Sequence, residues 1–271
     1  MSNPFILAGC GKMGGAMLDG WIESGYADAG VHVIEPFAGA VDRFASASQV
    51  TVHAKAEDIP GDVDPSVVIL AVKPQTMDEA IGPLRRFVGP NTVFLSIAAG
   101  KTIGYFESKL GAEAAIVRAM PNTPAAVGRG ITVHAPNANV TAEQSEMCGA
   151  LLSAVGEVVG VEDEGLMDAV TAVSGSGPAY VFLLIEAMAA AGEKAGLPAD
   201  LSMRLARATV AGAGELARLS DEAASQLRIN VTSPGGTTAA ALEVLMADDG
   251  VQPVFDRAIA AATQRSKDLA G

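Results

Sequence analysis

Phe5-Ile6-Leu7-Ala8-Gly9-Cys10-Gly11-Lys12-Met13-Gly14 is the stretch from which the fold is read. A short apolar run ends at a glycine. Three glycines at the spacing GxGxxG then lead into Lys12–Ser24, where Met13, Met17, Trp21 and Ile22 recur at helical intervals. A strand, a tight turn and a helix in that order make a phosphate-binding turn. The first glycine permits the turn, the second lets backbone approach a pyrophosphate, and the third lets helix and strand pack closely. Unpaired N–H groups at the helix start would hold the anion. Gly9, Gly11, Lys12, Met13 and Gly14 are therefore candidate cofactor-binding residues, against the alternative of a purely structural turn.

Outward from this turn, Val31–Glu35 reads as a second strand and Phe37–Ser48 as a helix. Ser66–Val72 is a continuous apolar run, as in a central parallel strand covered on both faces. Gln75–Phe87 reads as a helix, Thr92–Ile97 as a strand and Ile103–Leu110 as a helix. Ala115–Arg118, Gly130–His134 and Glu157–Val161 read as shorter strands. The alternation predicts an α/β fold with a parallel sheet, an N-terminal Rossmann-type dinucleotide-binding domain. Ligands of such sheets bind beyond the carboxyl ends of the strands. That places Ala71, Val72, Lys73 and Pro74, and Ala98 after the next strand, at the cofactor edge. Met120-Pro121-Asn122-Thr123-Pro124 follows the strand after that. Glu35 ends the second strand, 21 residues beyond Gly14. A carboxylate there can accept from adenosine ribose hydroxyls and would repel a 2′-phosphate, a lean towards NADH over NADPH. The competing reading of Glu35 is an exposed residue at a helix start.

The composition narrows the function. The chain has 271 residues, of which 49% are hydrophobic and 18% charged, with a mean hydropathy of +0.32. It is too apolar for disorder and long enough to bury a core without disulfide or metal. A net charge of −13 leaves no footprint for nucleic acid and no attraction to anionic membranes. Cys10 and Cys148 make no disulfide framework. His32, His53 and His134 are scattered, so no metal site is expected. The N-terminal residues lack the basic segment and long apolar core of a signal peptide, so a cytoplasmic protein is expected.

After about Glu162 the strand pattern stops and the periodicity becomes helical, with interruptions at Gly175–Pro178, Gly196-Leu197-Pro198 and Ser233–Gly236. A boundary near 160–165 divides the chain into a dinucleotide-binding domain, 1–162, and an all-helical domain, 163–271. Ala169–Gly192 carries one charge, Glu186, and is long enough to span a bilayer, but Ser174–Pro178 breaks it and Ala179–Ala191 is too short. A helix apolar nearly all round buries more than one face, inside a bundle or against another subunit. Further on, Asn230-Val231-Thr232-Ser233-Pro234-Gly235-Gly236-Thr237-Thr238 opens a helix over Thr237–Met246. The residues alone allow a turn with a helix cap or a carboxylate site of backbone N–H groups.

Five segments in this order, Gly9–Gly14, Ala71–Pro74, Met120–Pro124, Ala172–Tyr180 and Asn230–Thr238, resemble pyrroline-5-carboxylate reductase, over essentially the whole chain. The fourth and fifth are the specific ones. The resemblance implies reduction of 1-pyrroline-5-carboxylate to L-proline by NADPH or NADH, the last step of proline synthesis. It implies a helical domain that forms a homodimer, in some members assembled into a decamer of five dimers. By motif it gives Gly9, Gly11, Met13 and Gly14 to the pyrophosphate. Lys73, Pro74, Ala98 and Asn230 fall to the cofactor path. Ser233, Gly236, Thr237 and Thr238 fall to the substrate, with Thr238 as the catalytic hydroxyl facing the ring nitrogen. Members of the family often carry small or basic residues where Glu35 sits, so Glu35 is a departure.

The chemistry has its own logic. Hydride attack on a protonated iminium gives a neutral amine directly, so the site needs no strong general acid. It needs orientation, a shielded path and an anchored carboxylate. No catalytic His or carboxylate pair stands out in the sequence, in keeping with this. Competing readings are a reductase of another cyclic imine or of a 2-ketoacid, and a non-catalytic dinucleotide-binding regulator. The Ser233–Thr238 loop argues against the regulator, which needs no carboxylate site.

Overall fold

A computed structural model describes residues 3–270. The chain divides into two compact units. One runs to Gly175 and takes in the chain from Thr263; the other is Ser176–Ala262.

Among the described residues the first unit is built on eight strands: β1 Phe5–Ala8, β2 Val31–Ile34, β3 Val50–His53, β4 Val67–Leu70, β5 Val93–Ser96, β6 Ala115–Met120, β7 Gly130–Pro136 and β8 Gly156–Gly160. They lie in the order β3-β2-β1-β4-β5-β6-β7-β8. Neighbours are parallel except β6 and β7, so β7 and β8 run against the other six. Alternate residues of the central strands feed opposite layers. Phe5 and Leu7 of β1 join Met17, Leu18 and Trp21 of α1 (Lys12–Glu23) and Leu151 of α4 (Ala142–Ser153). Ile6 and Ala8 join Met77 and Ile81 of α2 (Met77–Ile81) and Phe106 and Leu110 of α3 (Ile103–Leu110). Trp21 is fully buried, stands edge-on to Phe5 and donates its indole N–H to the Leu151 carbonyl at 2.7 Å, which ties α1 to α4.

Several expectations are corrected. Phe37–Ser48 is not a helix but two short 3-10 turns, Ala38–Ala40 and Asp42–Phe44. Only Val41 and Phe44 bury there, and Gly39 weakens any helix. The edge strand β3 follows directly. Gln75–Phe87 is split: Pro74–Thr76 is 3-10, α2 is five residues long, and Gly82–Phe87 is again 3-10. Pro83 lacks the N–H that a continuing α-helix needs. α4 begins with a reciprocal capping box, Thr141 with Gln144.

Beyond β8 the first unit continues through α5 (Met167–Val170) and a π-turn, Thr171–Gly175. The interruption expected over Ser174–Pro178 therefore narrows to Ser176, with Pro178 in the first turn of the next helix. The stretch Glu164–Lys194 is long and apolar enough to cross a membrane by length and composition, and its most apolar part is only 11% buried.

The second unit holds α6 (Gly177–Lys194), α7 (Ala199–Leu219), α8 (Ala224–Asn230), α9 (Thr237–Leu245) and most of α10 (Val251–Ala270). α6 and α7 approach closely through small residues. Ser202 donates its hydroxyl to the Ala189 carbonyl at 2.7 Å, and a side chain at Gly192 would collide with the Ser202 oxygen. Ala189, Ser202 and Ala206 are the buried residues of this unit; its large apolar side chains are exposed or half-buried.

Candidate functional site

The carboxyl ends of β1, β2, β4 and β5 meet along one edge of the sheet. The Gly9 N–H donates to the Ile34 carbonyl at 2.9 Å, Ala71 N–H to Ala8 at 2.8 Å and Ile97 N–H to Leu70 at 3.1 Å. Gly9 has φ +93°, and a side chain there would strike the Ala71 carbonyl. A side chain at Gly14 would strike the Gly9 carbonyl, so α1 starts directly on the turn. Gly11 faces open space, and no side chain caps the α1 N-terminus. Open volume over uncapped N–H groups fits a dinucleotide pyrophosphate. The net charge of the chain does not oppose this, because the attraction comes from local backbone dipoles.

Glu35 belongs to the same turn. Its carboxylate accepts the Cys10 N–H at 2.8 Å and the Phe37 N–H at 3.1 Å. Burial, with the Glu35 carboxylate beside it, pushes the Cys10 thiol up to about 11, so Cys10 stays protonated and inert. Arg43 pairs with Asp19 at 2.9 Å and lies against Gly15.

Of the other predicted cofactor residues, Ala71 and Val72 are half-buried and Lys73 is exposed where β4 ends. Pro74 opens the following 3-10 turn, and Ala98 is buried beyond β5. With Gly9, Gly11, Lys12, Met13, Gly14 and Glu35 they share the sheet edge of the first unit. Asn230, Ser233, Gly236, Thr237 and Thr238 belong to the second unit. Asn230 ends α8, donates to Glu222 at 2.9 Å and accepts from Gln226 at 2.8 Å. Gly235 has φ +69° and turns the loop, and the Gly236 N–H donates to the Ser233 carbonyl at 3.0 Å. Gly236 caps α9 without a side-chain bond, so the N–H groups of Thr237 and Thr238 head the helix uncapped. Thr238 is half-buried; Ser233 and Thr237 are exposed.

Three features of the first unit escape a reading of the sequence alone. Arg118 of β6 is buried and pairs with Glu164 at 2.7 Å. The same Glu164 oxygen accepts the Ile103 N–H at 2.8 Å, at the start of α3, just past the Ala98–Thr102 loop. Asn122, beyond β6, bonds both Ile131 and the π-turn. Leu269 of α10 packs on Gly100, which has φ +73°. Most of the partners are distant in sequence, so no local pattern announces these contacts. Among the described residues no group of three or more His, Cys, Asp and Glu is placed to hold a metal ion.

Comparison with known proteins bears on both units. Residues 5–100 match the family "NADP oxidoreductase coenzyme F420-dependent", and residues 164–269 match "Pyrroline-5-carboxylate reductase dimerisation". The pyrroline-5-carboxylate reductase of Pseudomonas aeruginosa is 41% identical over 271 residues, covering 100% of this chain and 98% of the relative. The chain belongs to the pyrroline-5-carboxylate reductase family. The solved reductase of Coxiella burnetii is similar at a TM-score of 0.92 and 34% identity, with 100% of both chains covered. The Plasmodium falciparum pyrroline carboxylate reductase, solved with NADP bound, is similar at 0.80 and 30%, again over 100% of both chains. As a pyrroline-5-carboxylate reductase family member the chain is an oxidoreductase with a nicotinamide cofactor. Its α/β dinucleotide-binding part is followed by a helical dimerisation part.

Proposed function

We propose that this protein reduces 1-pyrroline-5-carboxylate to L-proline in the cytoplasm, as a homodimer. The observation that carries the reading is full-length likeness to pyrroline-5-carboxylate reductases, joined to two uncapped helix starts: α1 on the Gly9–Gly14 turn and α9 on the Gly235-Gly236 turn. Each suits one anion, the dinucleotide pyrophosphate and the substrate carboxylate. A reduced nicotinamide, when bound, supplies the hydride.

The residues then divide the work. Gly9, Gly11, Lys12, Met13 and Gly14 hold the pyrophosphate. Ala71, Val72, Lys73, Pro74, Ala98 and Asn230 line the path of the cofactor. Ser233, Gly236 and Thr237 hold the carboxylate, and Thr238 orients the ring nitrogen through its hydroxyl. Protonation of the imine in water removes the need for a strong acid, so orientation and exclusion of water carry the catalysis. The functional division at 162/163 leaves the whole helical dimerisation part on one side. The exposed apolar face of α6 supports assembly through that part, with a decamer of five dimers as the larger form.

Glu35 favours NADH. Its carboxylate is anchored by two N–H groups at the end of β2, and Arg43 is paired with Asp19, so a 2′-phosphate at this strand end would meet a fixed negative charge. The deciding experiment follows oxidation of NADH and of NADPH side by side with 1-pyrroline-5-carboxylate. Turnover with either coenzyme, faster with NADH, is expected. Absence of turnover with both sinks the reading, and a preference for NADPH sinks the assignment of Glu35.

A further inference from the structure

Asn122 is nine-tenths buried (9% exposed) and lies in the loop after β6, two strands along the sheet from the β4 loop that carries Lys73. Both polar atoms of its carboxamide are bonded within the first unit. Oδ1 accepts the Ile131 N–H at 3.0 Å; Nδ2 donates to the Ser174 carbonyl and to the Ser174 hydroxyl oxygen, each at 3.3 Å. The orientation of the amide is forced, because a backbone N–H can only donate and so fixes the oxygen towards Ile131. The nitrogen must then face the π-turn, Thr171–Gly175. A second contact joins the same two segments. Gly175 leaves room for the Met120 side chain, whose terminal methyl occupies the space a side chain at Gly175 would need. Single π-helical turns recur at functional sites. This one ends the first unit, at Gly175, where the chain passes to α6.

We propose that Asn122 is a positioning residue for hydride transfer: it locks the Met120–Pro124 loop to the π-turn and so fixes the wall of the site beyond β6. The inference rests on the reductase reading above. Both polar atoms of the Asn122 side chain are bonded within the first unit, so it acts through the loop it holds. The pyrophosphate cradle lies on β1, three strand spacings from β6, or about 14 Å across the sheet. Loosening the clamp therefore leaves dinucleotide binding alone while the reacting groups lose their alignment. Alignment of that kind is worth large factors in rate.

The test compares full-length wild type with Asn122→Ala and Asn122→Asp. Asn122→Asp keeps the oxygen facing Ile131 and loses both donors to Ser174. Expected is a kcat lowered about 30-fold for Asn122→Ala and about tenfold for Asn122→Asp. The Kd for NADH, from fluorescence titration, stays within twofold of wild type in both. A kcat within twofold of wild type in both variants overturns the proposal. So does a kcat loss matched by an equal loss of NADH binding, which is the mark of a merely structural residue. If Asn122→Ala does not fold, Ser174→Ala, which removes only the hydroxyl, is expected to lower kcat about threefold, and an unchanged kcat overturns the proposal. Should wild type itself fail to turn over 1-pyrroline-5-carboxylate, the reductase reading fails. The clamp is then judged by amide exchange over residues 171–175, where unchanged protection in Asn122→Asp overturns it.

Discussion

In the sheet unit Phe5, Leu7, Trp21 and Leu70 are each 0% exposed, whereas Phe182, Leu183 and Leu184 of α6 stand 59%, 63% and 51% exposed. Burying a side chain of this size is worth about 1.5–3 kcal/mol. The first unit collects that gain within its own layers. The second leaves much of it uncollected, because small residues let α6 and α7 pack tightly on one side while the larger ones face away. Large apolar side chains left exposed along a helix suit a protein interface. The family description of residues 164–269 as a dimerisation region accounts for it. One unit therefore folds by what it buries, and the other by what it is given to bury against.

The largest effect that sharpens this contrast is Trp21→Ala, expected to cost about 3–5 kcal/mol of stability in denaturant unfolding, with the assembly mass unchanged under native conditions. Next, Leu183→Glu is expected to halve the mass seen by light scattering and to lower activity about 100-fold, while the sheet unit keeps its NADH affinity. If Leu183→Glu kept its mass, the two units would not differ as described. Smaller again, Glu35→Ser is expected to raise the NADPH-to-NADH ratio of kcat/KM about tenfold without altering mass or unfolding midpoint; an unmoved ratio removes Glu35 from cofactor choice. The smallest is a pH effect confined to the sheet unit. Burial holds His134 below the ordinary imidazole range, and burial with the neighbouring His53 does the same for His32. The unfolded chain then takes up these protons first. Stability is full above about pH 6.5 and falls as the pH drops through and below that value. A lower Tm at pH 5.5 than at pH 7.5, reduced in His134→Gln, is expected.

The same contrast governs what could be read from sequence. Central strands such as Val67–Leu70 are legible because burial on both faces demands an unbroken apolar run. The Gly9–Gly14 turn is legible because its backbone geometry admits little but glycine. β3 is harder: Val50–His53 is a four-residue edge strand, half-buried or exposed, and its pattern is weak. The α4 start is legible in Thr141 and Gln144, which have the capping-box spacing. Asn122, Arg118 and Glu164 are illegible in principle, since each acquires its role from a partner 46 or more residues away. The helical periodicity after Glu162 announces α6 and its need for a partner, and periodicity is the same whether that partner is a helix of the same chain or of a second subunit.

The packing of Leu269 on Gly100 reaches further than a local contact. The chain leaves the sheet unit at Gly175 and rejoins it at Thr263, so the helical unit is, in topology, an insertion with two tethers. The returning tether ends against the loop between β5 and α3, and Ser266 is pinned on the way by a 2.6 Å bond to Asp168. Fraying of the final helical turn is thus felt at the active edge of the sheet, so an affinity tag fused after α10 is a poor choice for kinetic work.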